Sequence, residues 1–130
     1  MGLFVNTFVN LQSKRKRMEK YVYKPRAETV FEQFLLLLSE HHVRERSVGF
    51  YAARLCLSPK YFSRLVKEAS GQGAPAWIDQ AVIRTAQDYL KHSDLTIKQI
   101  VWQLHFPDQP TFTKYFKSHT GLTPSQFRKI

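Results

Sequence analysis

From Glu28 onward the apolar residues of this chain fall at helical spacing. Val30, Phe31, Phe34, Leu35 and Leu38 recur every three or four positions on one face, which predicts a helix. The polar stretch His41 to Arg46 interrupts that face, and Ser47 can cap a second helix running from Val48 to about Leu55, with Val48, Tyr51, Ala52 and Leu55 inward. Ser58-Pro59 places an N-cap ahead of a proline at the first helical position, where its missing N–H costs little. That third helix runs to about Ser70 and stops at Gly71, a residue suited to a left-handed cap. Pro75 opens a long helix with Trp77, Ile78, Val82, Ile83, Ala86, Tyr89 and Leu90 apolar, ending near Lys91-His92-Ser93. Thr96 with Gln99 fits a capping box before Ile97, Ile100, Val101 and Leu104; Asp108 caps the next helix, which Gly121 ends, and Thr123-Pro124 with Gln126 starts a last short one holding Phe127. No segment alternates with period two, and there is no Asn-Gly or Asp-Gly hairpin turn, so the expected fold is all-α with seven helices from residue 28.

The second half of the chain states one pattern twice. Phe62 and Phe112, Lys67 and Lys117, and Gly71 and Gly121 each sit 50 positions apart, and one extra residue near Pro110 separates the two copies. Each copy reads as a short helix, a tight turn, and a second helix opening with polar and basic residues, the pattern of a helix-turn-helix. In the first, Leu55-Cys56-Leu57-Ser58 is the turn and Leu57, Phe62 and Leu65 the buried side, so Lys60, Ser63, Arg64 and Lys67 share the other face. In the second, Leu104-His105-Phe106-Pro107 is the turn, Phe112, Tyr115 and Phe116 point inward, and Gln109, Thr113, Lys114 and Lys117 face out.

Charge gives these faces a partner. Twenty Lys and Arg against ten Asp and Glu leave a net +10 on 130 residues, the balance of a polyanion binder. An arginine fork meets guanine O6 and N7 together, glutamine can pair with adenine, and threonine can meet thymine. The long helix, ~17 residues and ~25 Å, allows two reading helices to sit ~34 Å apart, one DNA turn. A single chain could then read two successive major grooves, and badly spaced grooves would have to bend at a cost of about 1–6 kcal/mol.

At these residues the sequence resembles the C-terminal DNA-binding domain of the AraC/XylS family of bacterial transcription regulators. The resemblance covers about residues 30 to 130 and is carried by Ser47 to Ala52, Leu57 to Arg64, Leu95 to Ile100, and above all Phe112 to Lys117 with Gly121 to Arg128. It implies two homeodomain-like helix-turn-helix units (47–71 and 96–121) joined by a linker helix (75–92) within a domain spanning 27–130. It also implies base contacts from Lys60, Ser63 and Arg64 and from Gln109, Pro110, Thr113 and Lys114. Phosphate contacts are expected from Tyr61, Lys67, Thr111 and Lys117. The implied partners are double-stranded DNA and, for an activator, RNA polymerase, in the cytoplasm. Two positions depart from the family pattern. His105 stands where many members have Gly, and a left-handed backbone there would cost of order 1 kcal/mol; Pro110 replaces a common Ser and removes a hydroxyl that could hold phosphate.

Residues 1–26 read as an amphipathic tail or interdomain linker helix, with Leu3, Phe4, Phe8 and Leu11 at helical spacing before the basic run Lys14-Arg15-Lys16-Arg17. Family members usually carry an effector-sensing or dimerising domain ahead of this one. The expectation here is a fragment of a longer protein rather than a stand-alone reader. The start lacks the features of a signal peptide, and the longest apolar run, Phe34 to Leu38, is far below the ~20 residues of a membrane span.

Other chemistries fare worse. The single Cys56, between Leu55 and Leu57, reads as a small buried packing residue rather than a reactive thiol. The five histidines lack metal-ligand spacing, no cofactor motif is present, and no catalytic constellation stands out, so neither a metal site nor an enzyme is expected. Phe62, Trp77, Trp102, Phe112 and Phe116 read as core residues rather than base-stacking platforms. The rival from another class is a protein-interaction module with only non-specific DNA binding, which salt dependence would distinguish.

Overall fold

Short polar side chains decide where most of the helices begin. The computed structural model describes residues 26–130; the apolar positions Leu3, Phe4, Phe8 and Leu11 and the basic run 14–17 lie outside the described residues. Within them are seven helices and no strand: α1 (Ala27–His41), α2 (Val48–Arg54), α3 (Pro59–Ser70), α4 (Ala74–His92), α5 (Ile97–Gln103), α6 (Gln109–Thr120) and α7 (Pro124–Lys129). The side chain of Ser47 accepts from the Phe50 N–H, Ser58 from Tyr61, and Asp108 from Thr111, while Thr96 and Thr123 each complete a capping box with Gln99 and Gln126. Each such cap satisfies a backbone donor that the helix cannot, and removing one costs about 1 kcal/mol. At the other ends, Gly71 and Gly121 adopt φ 79° and 84° and return their N–H groups to Lys67 and Lys117.

Two apolar cores form, strung along α4. Val30, Phe34 and Leu38 of α1, Tyr51 and Ala52 of α2, Phe62, Leu65 and Val66 of α3, and Ala74 and Ile78 of α4 make the first. The ring of Phe34 sits edge-on to both Tyr51 and Phe62, at 5.4 and 5.1 Å between centroids. The second gathers Ile83, Ala86 and Leu90 of α4 with Ile100, Val101, Leu104, Phe112 and Phe116, and Phe127 of α7 closes it against Phe116. Phe62 and Phe112, the matching residues of the repeat, are both fully buried. Truncating either to Ala costs about 3–5 kcal/mol by the usual measure of core aromatics.

Helix α7 also fastens the end of α4. The Arg128 guanidinium donates to the carbonyls of Leu90 (2.9 Å) and Tyr89 (3.3 Å), two of the acceptors that the last turn of α4 leaves over. Lys91 Nζ reaches the Ile130 carbonyl at 2.6 Å and lies 5.1 Å from the Phe127 ring centroid.

The turns between α2 and α3 and between α5 and α6 share one backbone design. In the first, Cys56 N–H bonds to Ala53 and Leu57 N–H to Ala52; in the second, His105 N–H bonds to Trp102 and Phe106 N–H to Val101. This is the Schellman pattern, and it requires a left-handed residue after the helix. Cys56 (φ 60°) and His105 (φ 59°) fill that place without being glycine. Three expectations are corrected here. Cys56 is exposed rather than buried, because the left-handed turn leaves its side chain outside the apolar contacts of Leu55 and Leu57. Trp102 is 75% exposed rather than inward: at ~100° per residue it lies opposite the face formed by Ile97, Ile100, Val101 and Leu104. It lines an open surface groove with Arg44, Gln103, His105 and Phe106. The extra residue of the second copy is Pro107, within the turn, since the caps Ser58 and Asp108 already match at a spacing of 50.

Candidate nucleic-acid interface

Helix α3 turns one face in and one face out. Phe62, Leu65 and Val66 anchor it in the first core. Lys60, Arg64 and Lys67 are exposed on the opposite side, one turn apart, with Ser63 half-buried between them. The Arg64 guanidinium lies 5.1 Å from the centroid of the Tyr61 ring, which itself packs on the first core. Such a contact is worth about 0.5–1 kcal/mol at an exposed site and narrows the directions the arginine can take.

Helix α6 repeats the arrangement. Phe112 and Phe116 are its buried anchors. Gln109, Pro110, Lys114 and Lys117 are exposed and Thr113 is half-buried, so Ser63 and Thr113, Arg64 and Lys114, and Lys67 and Lys117 occupy the same places in the two units. Thr111 is exposed, and its N–H donates to Asp108 Oδ1 at 2.8 Å. The Thr111 hydroxyl and then its N–H hold the Asp108 carboxyl below the ordinary carboxylate range.

Two side chains of α6 fix it on α4 through one carboxylate. The Tyr115 hydroxyl donates to Asp79 Oδ1 at 2.7 Å, and His119 Nε2 stands 3.2 Å from Asp79 Oδ2. Burial, then the bond to Asp79, raises the Tyr115 phenol well above its ordinary value. One carboxylate on α4 therefore grips two successive turns of α6 from the side away from Lys114. The only hint in the sequence is the i, i+4 spacing of Tyr115 and His119.

Among the described residues the ion pairs are His41–Glu40 and His119–Asp79, so the Lys and Arg residues of α3 and α6 carry no acidic partner there. Unneutralised Lys and Arg on two matching faces make a surface for a polyanion. Also among the described residues, no group of three or more His, Cys, Asp or Glu is placed to hold a metal ion, and no helix is long and apolar enough to cross a membrane.

Known proteins share this arrangement. A family model described as "Helix-turn-helix domain" matches residues 51–130. The regulatory protein PocR of Salmonella typhimurium is 36% identical over 78 residues, which are 60% of this chain and 26% of PocR. The chain thus spans about a quarter of that relative's length. The C-terminal domain of AraT, a response regulator from Geobacillus stearothermophilus, superposes with a TM-score of 0.73 at 23% identity over 81% of this chain and 88% of that one. The DNA-binding domain of AdpA, a global transcriptional factor solved in complex with a target DNA, gives 0.68 at 21% identity over 76% and 89%. At such identities the two structures speak for the fold, and the matched residues speak for kinship: the chain belongs to the AraC/XylS family of helix-turn-helix transcription regulators.

Proposed function

We propose that residues 27–130 are the DNA-reading domain of a transcription regulator, binding double-stranded DNA sequence-specifically by laying α3 and α6 into successive major grooves. The observation that carries this reading is the pair of matching Lys and Arg faces, held outward by three buried apolar anchors on α3 and two on α6 and free of acidic partners among the described residues. The 19-residue α4 is ~28 Å long, a length that with the width of each unit fits reading helices ~34 Å apart. In this reading Lys60, Ser63 and Arg64, and Gln109, Pro110, Thr113 and Lys114, meet base edges; Tyr61, Lys67, Thr111 and Lys117 meet phosphates. Its place in a longer cytoplasmic protein, behind an effector or dimerisation domain and recruiting RNA polymerase as an activator, follows the family pattern. The likeness to the DNA-bound AdpA domain supports the DNA part alone.

A second reading, a protein-interaction surface with incidental charge, is favoured by the exposure of Leu36 (68%) and Trp102 (75%). Selection from a random duplex library, followed by titration of the winner at several salt concentrations, separates the two. Two short motifs about one helical turn apart, with a log–log salt slope near −0.9 per phosphate contacted, are expected. Recovery of no sequence, with salt-steep binding to any duplex, would sink the sequence-specific reading.

A further inference from the structure

The two reading units hang from one helix, yet DNA that presents two grooves at fixed spacing needs them fixed to each other. The unit α1–α3 and the unit α5–α7 each pack on α4, and among the described residues no helix of one packs extensively on a helix of the other. Between the units themselves, with α4 set aside, one direct side-chain hydrogen bond is found among the described residues. Arg46, in the loop between α1 and α2, donates through Nη2 to the His105 carbonyl at 3.1 Å and through Nη1 to the Val43 carbonyl at 3.0 Å. Its guanidinium carbon lies 4.4 Å from the centroid of Phe106. Half-burial draws the guanidinium pKa below its ordinary value, in keeping with a head group taken partly out of water.

The loop that carries Arg46 is itself braced. The Tyr51 hydroxyl donates to the Glu45 carbonyl at 2.6 Å. His42 spans from the Leu38 carbonyl (2.7 Å) to Thr85 Oγ1 on α4 (2.6 Å), and Val43 packs against the second core. The receiving end is equally defined. His105 is the left-handed residue of the second turn, its carbonyl accepts no backbone donor of that turn, and α6 starts four residues later. A fork that bridges two carbonyls and stacks on a ring resists rotation as well as separation, which a lysine cannot do.

We propose that Arg46 is a specificity-determining positioning residue: it locks the second reading unit to the first, and so makes the protein selective for the spacing between its two half-sites. The proposal rests on the two-groove reading given above. Two rigidly joined readers engage both half-sites at one spacing and lose the second when it changes, whereas hinged readers tolerate the change.

The test uses the full chain and the duplex it selects, rebuilt with one or two base pairs inserted or deleted between the motifs, together with each half-site alone. For the wild type, affinity should fall steeply on either side of the selected spacing. In Arg46→Ala and Arg46→Lys, each checked for an unchanged circular dichroism spectrum, that penalty should shrink by on the order of tenfold while half-site binding is unaltered. Arg46→Lys keeps the charge, so its salt slope should match the wild type, which separates positioning from a phosphate contact. A wild type and variants with the same sharp spacing profile would overturn the role of Arg46 alone. A wild type with no spacing preference would overturn the two-groove reading, and this proposal with it.

Discussion

Replacing Cys56 and His105 by glycine should make the protein more stable, although both changes remove atoms. The two residues sit at φ 60° and 59° in turns whose hydrogen bonds demand a left-handed backbone. An L-residue pays roughly 1–2 kcal/mol to be there. Glycine returns about 0.5–1 kcal/mol of that through its freer unfolded chain, so each substitution should gain about 0.5–1 kcal/mol. Both residues are exposed, so little packing is lost. The turns share no partner and should add, giving ~1–2 kcal/mol for Cys56→Gly/His105→Gly. At about 4–8 °C per kcal/mol for a domain of this size, the melting temperature should rise by roughly 4–16 °C. The mirror experiment is Gly71→Ala with Gly121→Ala, at φ 79° and 84°, where an added Cβ meets no atom within 4 Å; any loss there is backbone strain alone. Thermal melts by circular dichroism decide both. A double-glycine protein no more stable than the wild type, or alanine at 71 and 121 without cost, would show that the left-handed backbone carries no such strain.

The exposed faces of α3 and α6 and the phenols of Tyr51 and Tyr115 make further predictions. Arg64→Ala should cost about 1–3 kcal/mol on the selected site and relax discrimination at one base position, read from a panel of single-base variants; unchanged preference would mean that α3 is turned differently in the groove. Lys67→Ala and Lys117→Ala should weaken all duplexes alike and each flatten the log–log salt slope by about 0.9, measured by fluorescence anisotropy. Tyr51, whose phenol burial pushes up to about 12, makes stability depend on alkali. The unfolded phenol loses its proton near pH 10 while the folded one keeps it, so the contribution is whole below about pH 10 and is lost as the pH climbs to about 12. Tyr115 shifts in the same direction, so Tyr51→Phe/Tyr115→Phe should flatten the fall in denaturant midpoint between about pH 9 and 12; an unaltered fall would contradict it.

Much of this architecture was legible because short-range chemistry writes it. Ser47, Ser58, Thr96, Asp108 and Thr123 mark five helix starts by side-chain hydrogen bonds three residues long, and Gly71 and Gly121 mark two ends, so boundaries fell within a residue or two. The outward faces of α3 and α6 were legible for the same reason: Phe62 and Phe112 had to point inward, which turned Arg64 and Lys114 out. Where the usual marker was missing, the sequence misled. Cys56 and His105 occupy left-handed positions without being glycine, so the first turn hid its geometry and Cys56 passed for a core residue. Trp102 reads as an inward position in the sequence, but its angle on α5 points it outward. The Asp79 grip on Tyr115 and His119, and the reach of Arg46 across 59 positions to His105, depend on how the units dock, which no local pattern encodes.

The proposed function turns on one chain reading two successive major grooves. Methylation interference on the selected duplex, at a stoichiometry fixed by sedimentation, tests it most directly, because a methyl at guanine N7 blocks the major-groove edge that an arginine fork requires. Two clusters of interference on one face of the duplex, about 10 base pairs apart, with one chain bound, are expected. A single cluster, or two clusters that appear only when two chains are bound, would contradict it.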